Sequence, residues 1–108
     1  MKTIISVVAL TLISFASSTM AADAEKGEEI FNKNCMACHS GGANVLAPGK
    51  SLSKKDLETN KMNSAEAIIG LVTNGKPPMP AFGKLGTINA ADIENVTAYV
   101  LKKADAGW

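Results

Sequence analysis

The chain has 108 residues, enough for one small domain, with eleven basic residues against ten acidic ones, a single histidine and a net charge of +1. So even a balance gives no electrostatic footprint for nucleic acid, which calls for a basic excess gathered on one face. With one Trp, one Tyr and three Phe the core is thin, and a domain this small needs a disulfide, a metal or a bound cofactor to complete it.

The first element is an export signal rather than part of the domain. Lys2 gives a positive start, and Ile4 to Ala16 is an apolar run broken only by Ser6, Thr11 and Ser14. It is shorter than the roughly 20 residues a membrane span requires. Small residues at Thr19 and Ala21 suit cleavage after Ala21. The expected division is a signal peptide over residues 1–21 and one domain over residues 22–108.

Residues Asp23 to Asn34 read as a helix. Acids gather in its first turns at Asp23, Glu25, Glu28 and Glu29, where the helix dipole favours them. Gly27 and Phe31 lie four apart and share a face. Gly41 to Gly49 is a loop. Ser53, with Asp56 three later, opens a short helix. Asn63 followed by Glu66 resembles a capping box, opening a helix that carries Ile68, Ile69, Leu71 and Val72 and stops at Asn74-Gly75. Lys76 to Gly83 is a proline-rich loop. Asn89, with Asp92 three later, caps a last helix whose stripe is Ile93, Val96, Tyr99 and Val100 and which ends near Ala104. No alternating strand pattern appears. The expected fold is all-α, three or four helices joined by long loops, and such loops in a small domain wrap or bind something.

Both cysteines and the only histidine fall in "NCMACHSGG", residues 34–42. A thioredoxin-type dithiol wants a strand-helix context, and no strand is expected. Zinc needs four ligands, and the chain has no further Cys or His. A disulfide closing so small a loop constrains the unfolded chain little and leaves His39 unexplained. Cys-x-x-Cys-His is the attachment signature of c-type haem. Cys35 and Cys38 would add to the two haem vinyl groups, and His39 would supply the proximal nitrogen. Among Met36, Met62 and Met79, the sixth ligand is expected at Met79, which sits between prolines of fixed φ and is presented by a stiff loop. Met36 lies inside the motif itself, and Met62 reads as a gap-filler in the core. With His39 and Met79 both on iron and no distal histidine or arginine, the expected role is electron transfer rather than catalysis. Val45 to Pro48 and Pro77 to Pro78 form the expected docking patch.

These residues resemble class I cytochromes c and, among them, the soluble photosynthetic cytochrome c6 family. The likeness runs through "ADAEKGEEIF", "NCMACHSGGANVL", "LETNKMNS", "VTNGK", "MPAFG", "ADIENVTAYVL" and Trp108. It implies one covalent haem c, thioethers at Cys35 and Cys38, axial ligands His39 and Met79, and packing of Gly27 and Phe31 against the last helix near Tyr99. It also implies a monomer in the thylakoid lumen, carrying electrons from the cytochrome bf complex to photosystem I. A related bacterial periplasmic carrier feeding a terminal oxidase is the alternative. Two departures bear on that choice. Leu71 stands where many members carry glutamine near the haem. Lys84-Leu85-Gly86-Thr87 stands where members have an arginine, a residue whose fork geometry lysine lacks.

Overall fold

The computed structural model describes residues 22–108, and the export signal expected over residues 1–21 lies outside them. Helix α1 spans Ala24–Asn34. The Asp23 carboxylate caps it, accepting from the backbone N–H groups of Glu25 at 2.9 Å and Lys26 at 3.2 Å. These are donors that a helix start cannot satisfy from within. Gly27 and Phe31 are the buried residues of α1. Their shared face lies along α5, Ala90–Ala106, in the most extensive helix contact of the described residues.

Gly27 sets how closely those two helices approach. A Cβ at this position would overlap the backbone carbonyl of Asn95 and sit 2.9 Å from the Cβ of Tyr99. Polar contacts fix the register at the same end. The Asp23 N–H donates to Asn95 Oδ1 at 2.9 Å, and Lys26 Nζ lies 3.9 Å from Asp92. Farther along, the Phe31 and Tyr99 rings meet with centroids 5.2 Å apart.

Helix α5 starts as the sequence indicates, with Asn89 Oδ1 accepting from the Asp92 N–H at 2.8 Å. It runs on past Ala104 to Ala106, because the stop is Gly107 in the left-handed conformation, φ 87°. The Trp108 N–H then bonds Lys103 O at 2.8 Å and the Gly107 N–H bonds Ala104 O at 3.3 Å, the two bonds of a Schellman closure.

Three shorter helices complete the shell: α2, Met36–His39; α3, Lys54–Thr59; and α4, Ala65–Asn74. The fold is all-α, and no strand occurs among the described residues beyond an isolated bridge between Lys76 and Met79. Among the described residues there are five α-helices where three or four were expected, because the cysteine motif itself winds into α2. The α3 cap is the expected one, Ser53 Oγ accepting from the Asp56 N–H at 3.2 Å. At α4 the cap moves from Asn63 to Ser64, whose hydroxyl accepts from the Ala67 N–H at 3.2 Å. Met62 is tied back to Leu57 O and Ser64 to Met62 O. The turn therefore takes up Asn63, and the cap falls on Ser64, whose backbone is extended.

The core is a band of Phe31, Leu57, Ile68, Val72, Ile88, Ile93, Val96 and Val100. Thr97 is buried with them at 1% exposure, and its hydroxyl has no partner among the described residues. An unpaired buried hydroxyl forfeits its hydration, whereas an apolar isostere does not. Thr97→Val is therefore expected to leave stability unchanged or raise it by up to about 1 kcal/mol in urea unfolding. Gly27→Ala is expected to lower it by about 2–3 kcal/mol, since two backbones must move apart to admit one methyl.

Candidate functional site

The C-terminal end of α1 delivers the motif. Cys35 closes α1 with its N–H on Phe31 O at 2.8 Å, and the next turn begins at once, with the His39 N–H on Cys35 O at 2.9 Å. Positions three and four apart on one helical turn point the same way, so Cys35, Cys38 and His39 form one wall of a cavity. Both thiols are free. Burial, and then the neighbouring Cys38, push the Cys35 thiol up to about 11. A group that stays protonated through neutral pH is a poor exchange nucleophile, which argues against a dithiol redox site. Among the described residues, no three His, Cys, Asp or Glu side chains converge to hold a metal ion on their own.

His39 is oriented from behind. Its Nδ1 lies 2.8 Å from Ala43 O. A carbonyl oxygen can only accept, so Nδ1 carries the proton and the lone pair is on Nε2. This is the arrangement that presents a histidine to a metal. Ala43 reaches that place because Gly41 and Gly42 turn the chain at φ 62° and 80°, a region most side chains avoid.

The next wall is the loop after Ala43. Asn44 organises it, with Oδ1 accepting from the Leu46 and Ala47 N–H groups at 3.2 and 2.9 Å, and Nδ2 donating to Lys50 O at 3.0 Å. Leu46, Ala47, Lys50, Ser51 and Leu52 from this loop line the cavity. Ser51 donates to Asp56 Oδ2 at 2.7 Å, which ties the loop to α3.

The third wall comes from the proline-rich loop. Lys76 and Met79 exchange backbone bonds, Met79 N–H to Lys76 O at 2.7 Å and Lys76 N–H to Met79 O at 3.1 Å. The Pro77-Pro78 peptide between them is cis. Met79 lines the cavity, as does Met62, while Met36 is exposed and does not. The core placement expected for Met62 is thus half of its position: it packs on the core and also faces the cavity. Leu71 and Val72 of α4, Val96 and Val100 of α5, and Phe82 complete the enclosure.

The result is one cavity of about 560 Å³. Two thiols and a metal-ready imidazole stand on one segment of its wall, a thioether comes from another, and aliphatic and aromatic side chains fill most of the rest. A haem fits this set. The cavity is within the usual size of cofactor sites, about 300–1,000 Å³, and its donors are a soft sulfur and a neutral imidazole, which suit haem iron. Lys50, Asp56 and Asn60 supply a polar stretch of the lining. Sequence reasoning did not single out Asn44, Leu52 or Phe82. Only Asn44 carried a usable signal, an Asx turn one residue beyond a glycine pair.

A helical shell around a cavity walled by Cys-x-x-Cys-His is the class I c-type cytochrome fold. A family model described as cytochrome c oxidase, cbb3-type, subunit III, matches residues 22–100. Cytochrome c6 of Rippkaea orientalis is 48% identical, with 100% of this chain and 99% of that one covered. Cytochrome c6 of a Nostoc species is 52% identical over 94% of this chain and 89% of its own. Among solved structures, cytochrome c6 from the diatom Phaeodactylum tricornutum superposes with a TM-score of 0.76 at 48% identity, covering 81% of this chain and 100% of that one. The chain belongs to the cytochrome c6 family, electron carriers with one covalently bound haem c.

Removing the Asn44 side chain should release the loop that covers the cavity without altering the cysteine motif. Asn44→Ala is expected to cost about 1–2 kcal/mol. Hydrogen exchange should speed up at the Leu46 and Ala47 amides and stay unchanged at those of α5.

Proposed function

We propose that this protein carries electrons from the cytochrome bf complex to photosystem I in the thylakoid lumen, as a monomer, after removal of residues 1–21. The observation that carries the reading is the meeting of Cys35, Cys38, His39 and Met79 on one cavity. Cys35 and Cys38 would hold haem c through two thioethers. His39 Nε2 and the Met79 sulfur would be the donors to its iron. Bound haem supplies reversible one-electron exchange at iron.

The chain's own part is to hold these donors still and keep water away. His39 is pinned through Ala43 O, and Met79 through its paired bonds with Lys76. Apolar residues from α4 and α5 exclude solvent from the cavity. A donor set that does not rearrange between oxidation states keeps the reorganisation cost of electron exchange low. With His39 and Met79 both donating to iron, no position on it would be left for a substrate, which fits a carrier rather than an enzyme. No described helix is long and apolar enough to cross a membrane.

Val45 and Leu46 are 61% and 63% exposed. Leu46 and the exposed Pro77 and Pro78 also line the cavity. These side chains form the proposed docking patch, and the small, short-lived contacts of redox partners need no more. Leu71 on the cavity wall favours a second reading, in which a related exported carrier donates to a terminal oxidase. An aliphatic group in place of the amide that the family resemblance implies there would remove a dipole from the haem surroundings and lower the potential.

A redox titration and visible spectrum of the haem-loaded protein test the core of the proposal. The expected result is a low-spin spectrum with a high potential, and absence of a haem spectrum would sink it. Met79→Ala is expected to lose that high potential and to let the ferrous protein bind carbon monoxide, which the native protein resists. Leu71→Gln is expected to raise the potential. Flash-oxidised photosystem I should be reduced rapidly. Slow reduction there together with rapid reaction at an oxidase would select the second reading.

A further inference from the structure

Trp108 lies far from the cysteine motif in sequence, yet it rests directly on the turn that orients His39. The Schellman closure at Gly107 folds the chain back, and Trp108 itself takes φ 59°. A left-handed backbone is uncommon for a bulky residue and persists where the surroundings hold it in place. Three contacts do so here. The indole Nε1–H donates to Leu52 O at 2.8 Å. The ring meets Phe31 and Tyr99, with centroids 5.5 and 5.9 Å away. It also occupies the space beside Gly42, where a Cβ would come within 2.5 Å of the ring.

The elements that Trp108 touches are the ones behind His39. Leu52, held by the indole through its carbonyl, donates its own N–H to Gly42 O at 2.7 Å. Gly42 is bonded directly to Ala43, whose carbonyl takes the His39 Nδ1–H at 2.8 Å. Phe31 and Leu52 also line the cavity. One ring thus braces α1, α5, the glycine turn and the Leu52 loop together.

We infer that Trp108 is a positioning residue for His39: by fixing Leu52 and Gly42 it holds the Ala43 carbonyl against Nδ1, and so sets the orientation and donor strength of the imidazole. This rests on the reading of His39 as the proximal ligand. A hydrogen bond from the far nitrogen of a ligating histidine raises its basicity, and a stronger donor favours the oxidised metal. Loosening the brace therefore weakens the donor and raises the reduction potential.

The test uses the haem-loaded protein with Trp108→Phe and Trp108→Ala, and Ile88→Ala as a control. Ile88 is buried in the core but does not line the cavity. The readouts are hydrogen exchange at His39 Nδ1–H, the hyperfine shifts of the His39 ring protons in the oxidised form, and the reduction potential. In Trp108→Ala, exchange should rise on the order of tenfold, as the loss of one net hydrogen bond predicts. The ring shifts should move and the potential should rise. Trp108→Phe keeps a ring on Gly42 without the bond to Leu52, so its effect should be smaller and in the same direction. If Trp108→Ala does not fold, Trp108→Phe decides alone. Unchanged exchange and potential in the Trp108 variants, or changes equal to those in Ile88→Ala, would overturn the inference. Absence of hyperfine-shifted His39 signals in the native protein would instead overturn the ligand assignment, and this inference with it.

Discussion

The close approach of α1 and α5 at Gly27 is the constraint on which the rest of the structure depends. Helix α1 ends in the cysteine motif, and α5 supplies Val96 and Val100 to the same cavity. The spacing of the two helices therefore fixes the distance between the donor wall and its apolar backing. Gly27 sets that spacing because any side chain would strike the Asn95 carbonyl. Phe31, one turn further on, spans from this contact to the cavity, where it lies in both the core and the lining. A shift of α1 along α5 would move Cys35, Cys38 and His39 together, since they ride on its continuation.

The core that these helices enclose is incomplete by itself. Phe31, Leu57, Ile68, Val72, Val96 and Val100 each belong to the buried cluster and each also faces the cavity. In a dry interior such side chains would have partners on every side. Here one side is turned to the site of a large apolar cofactor. Folding and haem binding therefore draw on the same residues, and a thin aromatic content suffices because the cofactor supplies the missing bulk. The same economy explains the well-bonded loops. Asn44, the Lys76–Met79 turn and the Leu52–Gly42 bond do the fastening that secondary structure would do in a larger domain.

Electrostatics is subordinate in this molecule. The ion pairs among the described residues, Lys26 with Asp92 and Lys54 with Asp105, are surface pairs, which contribute little to stability. The important polar interactions are backbone-directed and local to the cavity. They set which nitrogen of His39 bears a proton and where the sulfur of Met79 can stand.

Local chemistry was legible in the sequence. The caps at Ser53 and Asn89, the stop at Gly75, the helical stripe of α5 and the Cys-x-x-Cys-His signature all follow from residues within a few positions of one another. Hydrogen bonds of that range are decided by the chain before any tertiary contact forms. At α4 the capping-box reading chose Asn63 and the structure puts the cap on Ser64, because a bond from Met62 back to Leu57 shifted the turn.

The sequence by itself therefore determined the described helices other than α2, the Cys-x-x-Cys-His segment and the stiff loop bearing Met79. Only the tertiary structure decided that Met62 reaches the cavity while Met36 does not. It also decided how closely Gly27 lets α1 lie on α5, and that Trp108 closes over Gly42 and Leu52. These are contacts between residues tens of positions apart. Their geometry follows from how whole helices pack, and side-chain type carries no record of it.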